Sequence, residues 1–531
     1  MKKLVSTFIA ILFCTITTFS QTQFQKSFGN ASAYDEFFSV CRTTDGGYAF
    51  LGNTIDTTTH FADALLVKTD NDGNLQWSKS FSFSIDVFST KIVCNSTGEL
   101  FLMGYTFENN PPYDDIFLIK TAADGSLLWS NRYGGTDIDE GNDLAIDNNG
   151  DLIIAGYTYS FGTTLKSGYA IKLNDVGTIL WSKAFSQNLN QEFNGVSVTS
   201  GNDYIFTGLT QRPPGINFDG YLIRTNSSGL VNWAMSSGGT GTEIYYHSFT
   251  DASDTIYVSG GSSTGTASGN LDGLFVKYDL NGNRYLNKTY GTASVDRTYN
   301  IGSGPLLSNE IILSGHTSNA SALEHNLFMH IDKYSGTMLS YELAGTTTGQ
   351  SRAYGLLTED QSAVQAGFSI TTSDTLGSAF AAKYVYGYSP CNTEAVNIVT
   401  ASPTFTDSIG SNSSVAATTN IPMVFTENII ASVSDVFCLN STINEMSNSI
   451  EFNISPNPVV DKLQISFDKN FSHDGAIISI FDLHGHTLKT VKVNSIQTDI
   501  SIESLPAGIY LMKCEYNGVI SSKRFIKSTM K

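Results

Sequence analysis

Residues Asp45–Phe81, DGGYAFLGNTIDTTTHFADALLVKTDNDGNLQWSKSF, contain three apolar runs separated by turn sequences, and the same pattern returns along most of the chain. The first run, YAFLG, ends at Gly52. Equivalent glycines end the matching runs of six further copies, at Gly104, Gly156, Gly208, Gly260, Gly315 and Gly367. Successive reference glycines are 52 residues apart, except for one step of 55. A long, nearly fixed period with several strands per copy predicts an all-β fold, a seven-bladed β-propeller.

Each copy contains four predicted strands, named a to d, which in the first copy are EFFSVCRT, GYAFLGNT, DALLVKTD and LQWSKSF. Runs such as YAFLG are continuously apolar, as expected where neighbouring blades cover both faces of a sheet. Four copies carry a tryptophan in strand d, at Trp77, Trp129, Trp181 and Trp233. We interpret these side chains as packing between blades. The block resembles bacterial repeat propellers built from DGG-Y-apolar-G-x-T followed by D-G-x-L-x-W.

The seventh copy lacks strand d, and the missing piece stands at the other end of the chain. Phe24–Phe28, FQKSF, matches the sequence WSKSF of Trp77–Phe81 and follows no strand c of its own. We predict that this N-terminal strand, residues 24–28, completes the last blade of a propeller spanning residues 21–388. Closure of this kind removes an open sheet edge that would otherwise favour aggregation.

Residues 1–20 combine two lysines with an apolar run and small residues before Gln21, which predicts a signal peptide cleaved after Ser20. Phe13 is too bulky for lipoprotein processing at Cys14. No later run is long and apolar enough to span a bilayer, so no transmembrane segment is expected. The net charge is −19 and lies mainly between residues 21 and 449. Such an acidic surface repels phosphate backbones, which argues against nucleic acid as a partner.

Five cysteines remain after the predicted cleavage. Cys391 and Cys438 flank the segment that follows the repeats and could form a disulfide in an exported protein. Cys41 and Cys94 occupy corresponding early strands of two copies, where we expect buried free thiols. No CxxC pair or His/Cys cluster points to zinc.

Acidic residues recur in the d–a loops and supply the candidate ligand residues Glu36, Asp86, Glu140, Glu192, Glu243 and Asp296, with Asp35 and Asp139 beside them. Around a channel mouth they would form a negative ring for Ca²⁺ or a cationic group, or else a solvated rim. Calcium is the only cofactor that these residues suggest. The repetition offers too many carboxylates to name a catalytic pair, so no catalytic residue is predicted.

Basic residues stand 16 or 17 positions after most reference glycines, at Lys68, Lys120, Lys172, Arg224, Lys277 and Lys383, and are expected to reach solvent. The clearest departures from the repeat lie near the 55-residue step. It contains the insertion SSTGTASGN, and Arg297 stands there among the acids, with Arg352 in the next copy. Since a functional site usually breaks the symmetry of its repeats, these arginines are the first positions to mutate.

Residues 389–449 are rich in Ser, Thr and Asn and form either a linker or a small extension. Residues 450–531 alternate in polarity over about seven short strands, which predicts a small β-sandwich. Four motifs mark this C-terminal part: Ser455-Pro456-Asn457-Pro458, Asp482-Leu483-x-Gly485, Leu505-Pro506-Ala507-Gly508-Ile509-Tyr510 and the basic end Lys523–Lys527. They resemble the type A C-terminal sorting domain (Por secretion tail) of the type IX secretion system of Bacteroidota.

The resemblance implies export through the inner membrane and then passage through the outer membrane, guided by the type IX machinery. The sorting domain is then cleaved, and the cargo is attached to the cell surface or released. Our leading hypothesis for the propeller is a non-enzymatic module that binds a glycan, a protein or a surface. The alternatives are a carbohydrate-active enzyme that uses carboxylates at the channel mouth, and a purely structural surface protein. Repetition favours binding or structure, because catalysis usually requires one exceptional blade.

Overall fold

The computed structural model describes residues 23–385, the strands within 399–440, and residues 452–528, with short gaps. The gaps lie at 30–32, 59, 84, 108–113, 187, 265–269, 293, 305–308, 319–323, 345–349, 360–361, 371–376, 457–458, 468–475, 482–486, 494, 496, 507 and 517–518. The predicted signal peptide and Cys391 lie outside the described residues. Residues Met1–Thr442 and Ile443–Lys531 form two separate compact units.

The repeats of the first unit fold into β-strands joined by turns. In chain order these are β1 (Gln23–Phe28), β2 (Ala33–Arg42), β3 (Tyr48–Asp56), β4 (Ala62–Thr69), β5 (Leu75–Ser82), β6 (Asp86–Cys94), β7 (Leu100–Phe107), β8 (Ile116–Thr121), β9 (Leu127–Gly134), β10 (Asp139–Ile146), β11 (Leu152–Thr158), β12 (Ser167–Leu173), β13 (Ile179–Ser186), β14 (Gln191–Val198), β15 (Tyr204–Gln211), β16 (Phe218–Thr225), β17 (Val231–Gly238), β18 (Glu243–Thr250), β19 (Ile256–Ser262), β20 (Asp272–Tyr278), β21 (Arg284–Gly291), β22 (Arg297–Ser303), β23 (Glu310–Ser318), β24 (Glu324–Asp332), β25 (Met338–Ala344), β26 (Gln350–Thr358), β27 (Ser362–Ile370) and β28 (Ser378–Val385).

These strands form antiparallel sheets in which consecutive strands are neighbours. Blade 1 is β2–β5, blade 2 β6–β9, blade 3 β10–β13, blade 4 β14–β17, blade 5 β18–β21, blade 6 β22–β25, and blade 7 β26–β28 with β1. The first strand of each blade contacts the first strand of the next, and that of blade 7 contacts that of blade 1. The predicted all-β propeller is therefore confirmed, and the first strands surround a central channel.

Apolar side chains fill the space between consecutive blades. Leu51 and Leu66 of blade 1, for example, pack against Leu102 and Ile119 of blade 2, and all four are fully buried. Comparable clusters join the other pairs of neighbours around the ring. Because each sheet has a neighbour on both faces, its middle strands are apolar at consecutive positions rather than alternating.

The tryptophans of strand d lie over the c–d turns of the next blade. A Cβ atom on Gly125, which has a φ of +77°, would lie 2.7 Å from the ring of Trp77. Glycine is therefore required there both by the backbone conformation and by the overlying ring. Phe24 lies in the same way over Gly73, where a Cβ would lie 2.9 Å from the phenyl ring. The phenylalanine of the N-terminal strand thus occupies the place of a blade tryptophan.

Strand β1 lies in the sheet of the last repeat, between β28 and a later strand. Phe24 is opposite Lys383 and Phe28 is opposite Ala379 in the antiparallel ladder with β28. Both phenylalanine rings are buried against blade 1, with Phe24 6.4 Å from the ring of Tyr48. The two ends of the repeat block are thus joined in one sheet.

A band of short strands follows the repeats and runs along the outer edges of the blades. Its strands are β29 (Val399–Ala401), β30 (Thr406–Ile409), β31 (Asn412–Val415), β32 (Thr419–Pro422), β33 (Thr426–Ile429) and β34 (Val436–Asn440). They pair antiparallel with the outermost strands β21, β17, β13, β9, β5 and β1, in that order. The band therefore passes from blade 5 back to blade 1 and then to blade 7. Among the described residues, blade 6 receives no such strand.

The expectation that Cys41 and Cys94 are free thiols is wrong. They form a disulfide, with their Cα atoms 6.0 Å apart. Cys41 lies on β2 and Cys94 on β6, and these first strands of blades 1 and 2 are neighbours, so the two cysteines meet although they are 53 residues apart, one more than the repeat period. The proposed Cys391–Cys438 bridge stays a prediction, since Cys391 lies outside the described residues.

The expectation that the recurring basic residues reach solvent is wrong for Lys68, Lys120, Lys172 and Lys383, which are buried. The side chain of Lys68 is 3% exposed, and its Nζ lies 2.9 Å from a carboxylate oxygen of Asp45 in the a–b turn of the same blade. Lys120 and Lys172 are similarly buried and ion-paired. The end of strand c lies beside the a–b turn. A lysine at that position can therefore form an ion pair with the acid of the turn instead of extending into water.

The second unit contains β35 (Phe452–Ser455), β36 (Lys462–Phe467), β37 (Ile477–Phe481), β38 (Thr487–Lys492), β39 (Gln497–Ser501), β40 (Gly508–Tyr516) and β41 (Val519–Lys527). One sheet has the order β35-β36-β39 and the other β38-β37-β40-β41. Side chains of both sheets, such as Ile465 and Met512, share one apolar core.

Two motifs of the second unit have visible structural roles. The hydroxyl of Tyr510 donates a hydrogen bond to the carbonyl of Pro506, 2.7 Å away, and Leu505 packs against the core. Asn457, Pro458, Asp482 and Gly485 lie outside the described residues. Across the described parts of both units, no helix has the length and hydropathy of a membrane span.

We predict that Phe24→Ala destabilises the propeller by about 3–5 kcal/mol, because it removes a fully buried ring from the strand that joins the two ends of the repeat block. The measurement is the free energy of unfolding from denaturant titration. Leu128→Ala is the matched control, since Leu128 is 49% exposed and its loss should change stability by less than about 0.5 kcal/mol. Equal effects of the two substitutions would contradict the role assigned to β1.

Candidate functional site

Each first strand of the propeller carries one β-bulge at an equivalent position, and the extra residue lines the central channel. The bulged residues, here called the channel residues, are Phe38, Thr90, Asn142, Asn194, Tyr246, Tyr299 and Tyr354. A bulge leaves its extra residue out of the ladder and redirects its side chain. The fold thus presents one inward side chain from every blade, and these seven differ in chemistry.

Four channel residues form a continuous aromatic arc over blades 5, 6, 7 and 1. The ring of Tyr246 lies 5.0 Å from that of Tyr299, which lies 5.8 Å from that of Tyr354, and Tyr354 lies 5.3 Å from Phe38. All four side chains are half-buried. Half of the channel wall is therefore a surface of aromatic rings that still reach the channel space.

The other three channel residues form a polar arc that ties blades together. The Thr90 hydroxyl donates to the carbonyl of Gly141 at 2.8 Å. The side-chain amide of Asn142 donates to the carbonyl of Phe193 at 2.8 Å, and that of Asn194 to Tyr245 at 3.0 Å. Each donor is used by the backbone of the next blade. The polar arc therefore has a structural task, and the aromatic arc is the better candidate for binding.

A buried charge cluster closes the polar side of the channel. Lys91 Nζ lies 2.9 Å from Asp143, which also accepts a hydrogen bond from the backbone N–H of Val196 at 2.8 Å. Burial acts to raise the pKa of Asp143, but the charge of Lys91 holds it below its usual range. Burial and the same lysine lower the pKa of His247 to about 4, so that its ring is neutral at pH 7. The cluster joins blades 2, 3 and 5 across the channel.

The space between these walls is small. The channel residues and the side chains beneath them enclose about 210 Å³. Pockets that engulf drug-sized ligands have volumes of about 300–1,000 Å³. The channel therefore has room for a single sugar-sized group, and a larger ligand has to extend outward across the mouth.

The mouth of the channel is formed by the residue two positions before each channel residue. These mouth residues are Glu36, Phe88, Glu140, Glu192, Ile244, Arg297 and Arg352. Acids thus stand on blades 1, 3 and 4, and arginines stand together on blades 6 and 7. The guanidinium of Arg297 lies 3.3 Å from the hydroxyl of Tyr299, which places it directly beside the aromatic arc.

The structure brings three of the six predicted acids into this ring and separates the other three. Glu36, Glu140 and Glu192 are mouth residues. Glu243 and Asp296 each stand one position before the mouth residue of their blade, where the side chain is fully buried. A further acid, Asp86, lies two positions before its mouth residue, and its carboxylate accepts a hydrogen bond from the Ala62 N–H of blade 1 at 2.8 Å.

Glu243 shows why the displaced acids have a structural role. Its carboxylate accepts hydrogen bonds from the Gly239 N–H at 2.8 Å and from the Ser262 hydroxyl at 2.9 Å, and it also contacts Thr264. Asp296 accepts a hydrogen bond from the Thr292 N–H in the same way. These carboxylates close the d–a loops by bonding to the residue four positions earlier.

The acids of the mouth are paired or protonatable rather than gathered around a cation. Glu192 lies 2.7 Å from Lys166 Nζ, and Glu36 accepts a hydrogen bond from the Tyr34 hydroxyl at 3.0 Å. Burial raises the pKa of Glu36 to about 6 and also raises that of Glu140. Within the described residues, no group of three or more His, Cys, Asp or Glu side chains could hold a metal ion. Calcium binding stays a prediction that calorimetry has to test.

Sequence reasoning pointed to Arg297 and Arg352 but missed the channel residues. In the first five copies they stand 14 positions before the reference glycine, in a column that reads Phe, Thr, Asn, Asn and Tyr. The neighbouring columns vary as much, since the preceding one reads Phe, Ser, Gly, Phe and Tyr and the following one reads Ser, Lys, Asp, Gly and His. Variation therefore does not single out the channel residues, and a bulge cannot be located from alternation alone.

Comparison with known proteins identifies the second unit. Residues 453–528 match the model of the secretion system C-terminal sorting domain, Por_Secre_tail. No curated protein sequence matches the chain.

Comparison with solved structures gives only weak likenesses. PorZ, a surface component of the type-IX secretion system of Porphyromonas gingivalis, has 12% identity and a TM-score of 0.36 over 93% of this chain and 59% of PorZ. The chain thus spans less than two thirds of that protein. A Trypanosoma rangeli sialidase solved with sialic acid has 9% identity and a TM-score of 0.34, over 67% of this chain and 55% of the sialidase. Sucrose-6-phosphate hydrolase from Lactobacillus gasseri has 9% identity and a TM-score of 0.26, over 69% of this chain and 93% of the hydrolase. Scores this low carry no argument about function.

We predict that Glu36→Gln changes how stability depends on pH. Glutamate in an unfolded chain has a pKa of about 4.3, so the folded protein, with a pKa of about 6 at Glu36, holds the proton more tightly. The stability contributed by this proton is complete below about pH 4.3 and is lost as the pH rises through 6. Relative to wild type, the variant should therefore gain about 1–2 kcal/mol between pH 4.5 and pH 7.

Denaturant titrations at the two pH values measure this difference. Asp175→Asn is the control, because the Asp175 side chain is 61% exposed and its removal should leave the pH dependence unchanged. A pH dependence of Glu36→Gln parallel to that of wild type would contradict the burial of this carboxyl.

Proposed function

The chain is a cargo of the type IX secretion system, exported to the cell surface or beyond, and we propose that its propeller is a non-enzymatic module that binds a glycan at the channel mouth. The sorting domain supports export, with the predicted signal peptide as the inner-membrane route. The single observation that carries the binding proposal is the aromatic arc of Phe38, Tyr246, Tyr299 and Tyr354, which the bulges direct into the channel.

The chemistry of the arc suits carbohydrate. Aromatic faces pack against the C–H faces of pyranose rings, and tyrosine adds a hydroxyl that exchanges hydrogen bonds with sugar hydroxyls. The charged mouth residues offer further donors and acceptors around the rim. Each tyrosine of the arc combines an apolar ring with a polar hydroxyl. This combination suits a ligand that has one apolar face and many hydroxyls.

A glycan is favoured over a protein partner by the depth of the arc. Protein interfaces of ordinary affinity bury about 800 Å² on each partner, over a broad and fairly flat patch. The rings here are half-buried in a channel of about 210 Å³, where a flat surface cannot reach them. A chain of sugars can place one unit in the channel and lay the next units over the mouth.

We predict that Tyr299→Ala and Tyr354→Ala each weaken glycan binding by at least about tenfold, since central aromatic anchors commonly contribute 2 kcal/mol or more. A glycan array with the full chain finds the ligand, and titration calorimetry measures its affinity for each variant. Tyr285→Ala is the matched control, because Tyr285 is 65% exposed on the outer strand β21. Binding that survives both channel substitutions would exclude the arc as the site.

A carbohydrate-active enzyme is the second candidate, and the raised pKa of Glu36 favours it. A general acid in glycoside hydrolysis needs a carboxyl that stays protonated near its working pH. If the chain is such an enzyme, incubation with the glycan that it binds should release new reducing ends, and Glu36→Gln should abolish the release. Binding without release would leave the non-enzymatic module. Neither binding nor release would leave a purely structural surface protein.

A further inference from the structure

The two arginines of the mouth have two described acids near them, Glu324 and Glu36. Arg352 pairs with Glu324, whose carboxylate also lies 4.0 Å from His316 Nε2. Arg297 has no ion pair with any carboxylate among the described residues. Burial lowers the pKa of His316 to about 4, so its ring adds no charge at pH 7. Glu36 on the adjacent blade 1 also interacts with the charge of Arg352, and burial raises its pKa to about 6. The two arginines are therefore balanced when Glu324 and Glu36 are both ionised, and this part of the rim becomes positive as Glu36 takes up a proton, in a propeller that is otherwise strongly acidic.

Buried hydrogen-bonding atoms are also left without partners at this spot. Arg297 Nε and His316 Nδ1 are both buried and make no hydrogen bond within the described structure. The His316 side chain is 3% exposed, and its ring lies 5.5 Å from that of Tyr299. Leaving a buried polar group unsatisfied costs about 1–3 kcal/mol. An acceptor supplied from outside would remove that cost at Arg297.

Two acids of the mouth, Glu140 and Glu192, stand across the ring from the arginines, whereas Glu36 lies beside Arg352 and interacts with its charge. Glu36, Glu140 and Glu192 lie on blades 1, 3 and 4, whereas the arginines lie on blades 6 and 7. A ligand with one anionic group is therefore attracted to one side of the mouth and repelled from the other. This asymmetry fixes the direction in which a sugar chain crosses the channel, with its anionic unit above Tyr299 and Tyr354.

We propose that the ligand is an acidic glycan, whose sugar carboxylate binds between Arg297 and Arg352 while its ring packs on Tyr299 and Tyr354. The inference rests on the proposed glycan-binding function and specifies the ligand class. A carboxylate matches the planar fork of a guanidinium and carries a single charge, and Arg297 makes no ion pair with a described carboxylate. A dianionic phosphate would bring a second negative charge close to Glu36 and Glu324.

The test compares ligands that differ only in this charge. The full chain is titrated with an oligogalacturonate and with its methyl ester, and the array carries other carboxylated glycans beside their neutral or sulfated counterparts. We expect the carboxylated form to bind at least about tenfold more tightly than its ester, and Arg297→Gln to reduce its affinity to that of the ester. Arg297→Lys, which keeps the charge, should retain part of the preference.

Two controls separate this inference from loss of folding. Arg284→Gln removes an arginine from the outer strand β21 and should leave both affinities unchanged. Thermal unfolding of each variant shows that the propeller is intact. Equal binding of acid and ester, or tighter binding of sulfated glycans, would overturn the carboxylate assignment while leaving glycan binding in place. Binding of no glycan at all would overturn both proposals.

Discussion

A ring of twisted sheets surrounds a channel only while its last sheet is held to its first, and in this protein the joint is strand β1. The strand hydrogen-bonds to β28 and places Phe24 and Phe28 in the apolar cluster shared with blade 1. Every other contact around the ring is made between blades that follow one another in the chain. This one links residues more than 350 positions apart, so its formation determines whether the first strands face one another across a channel. The Cys41–Cys94 disulfide joins blades 1 and 2 beside the same joint, and the outer band adds β34 to β1.

The uniform packing between blades also explains at which positions the side chain can differ from blade to blade. Side chains at the blade interfaces have neighbours on both sides, and a change of volume there forces a cavity or a clash. The bulge in each first strand removes one residue from this packing and directs it into the channel. The seven blades therefore keep one architecture while presenting inward side chains of four types, Phe, Thr, Asn and Tyr. The residue type at the bulge of each blade determines whether that blade contributes to the aromatic arc or to the polar arc.

The acidic residues of the chain have two structural roles, which the net charge does not distinguish. Buried acids such as Glu243 close the loops between blades, and acids such as Asp45 pair with lysines at strand ends. Only part of the negative charge is left to face the channel mouth, where Arg297 and Arg352 oppose it. Net charge thus gives a poor account of the field that a ligand meets at the site.

The repeat period, the turn glycines and the alternation of apolar runs determined the propeller from the sequence alone, because each is a local demand that every blade has to satisfy. The match between Phe24–Phe28 and Trp77–Phe81 likewise determined which strand was missing from the last repeat, and the proline- and glycine-containing motifs after residue 450 determined the sorting domain. The tertiary structure decided which side chains meet. It paired Cys41 with Cys94, buried Lys68 against Asp45, divided the six predicted acids between mouth and loop, and revealed the channel residues. Those outcomes depend on a one-residue shift within a strand, which reverses the face that a side chain occupies, and on the ring that brings seven distant first strands together. The repeat period of the sequence predicts neither the one-residue shift nor the contacts between the first strands.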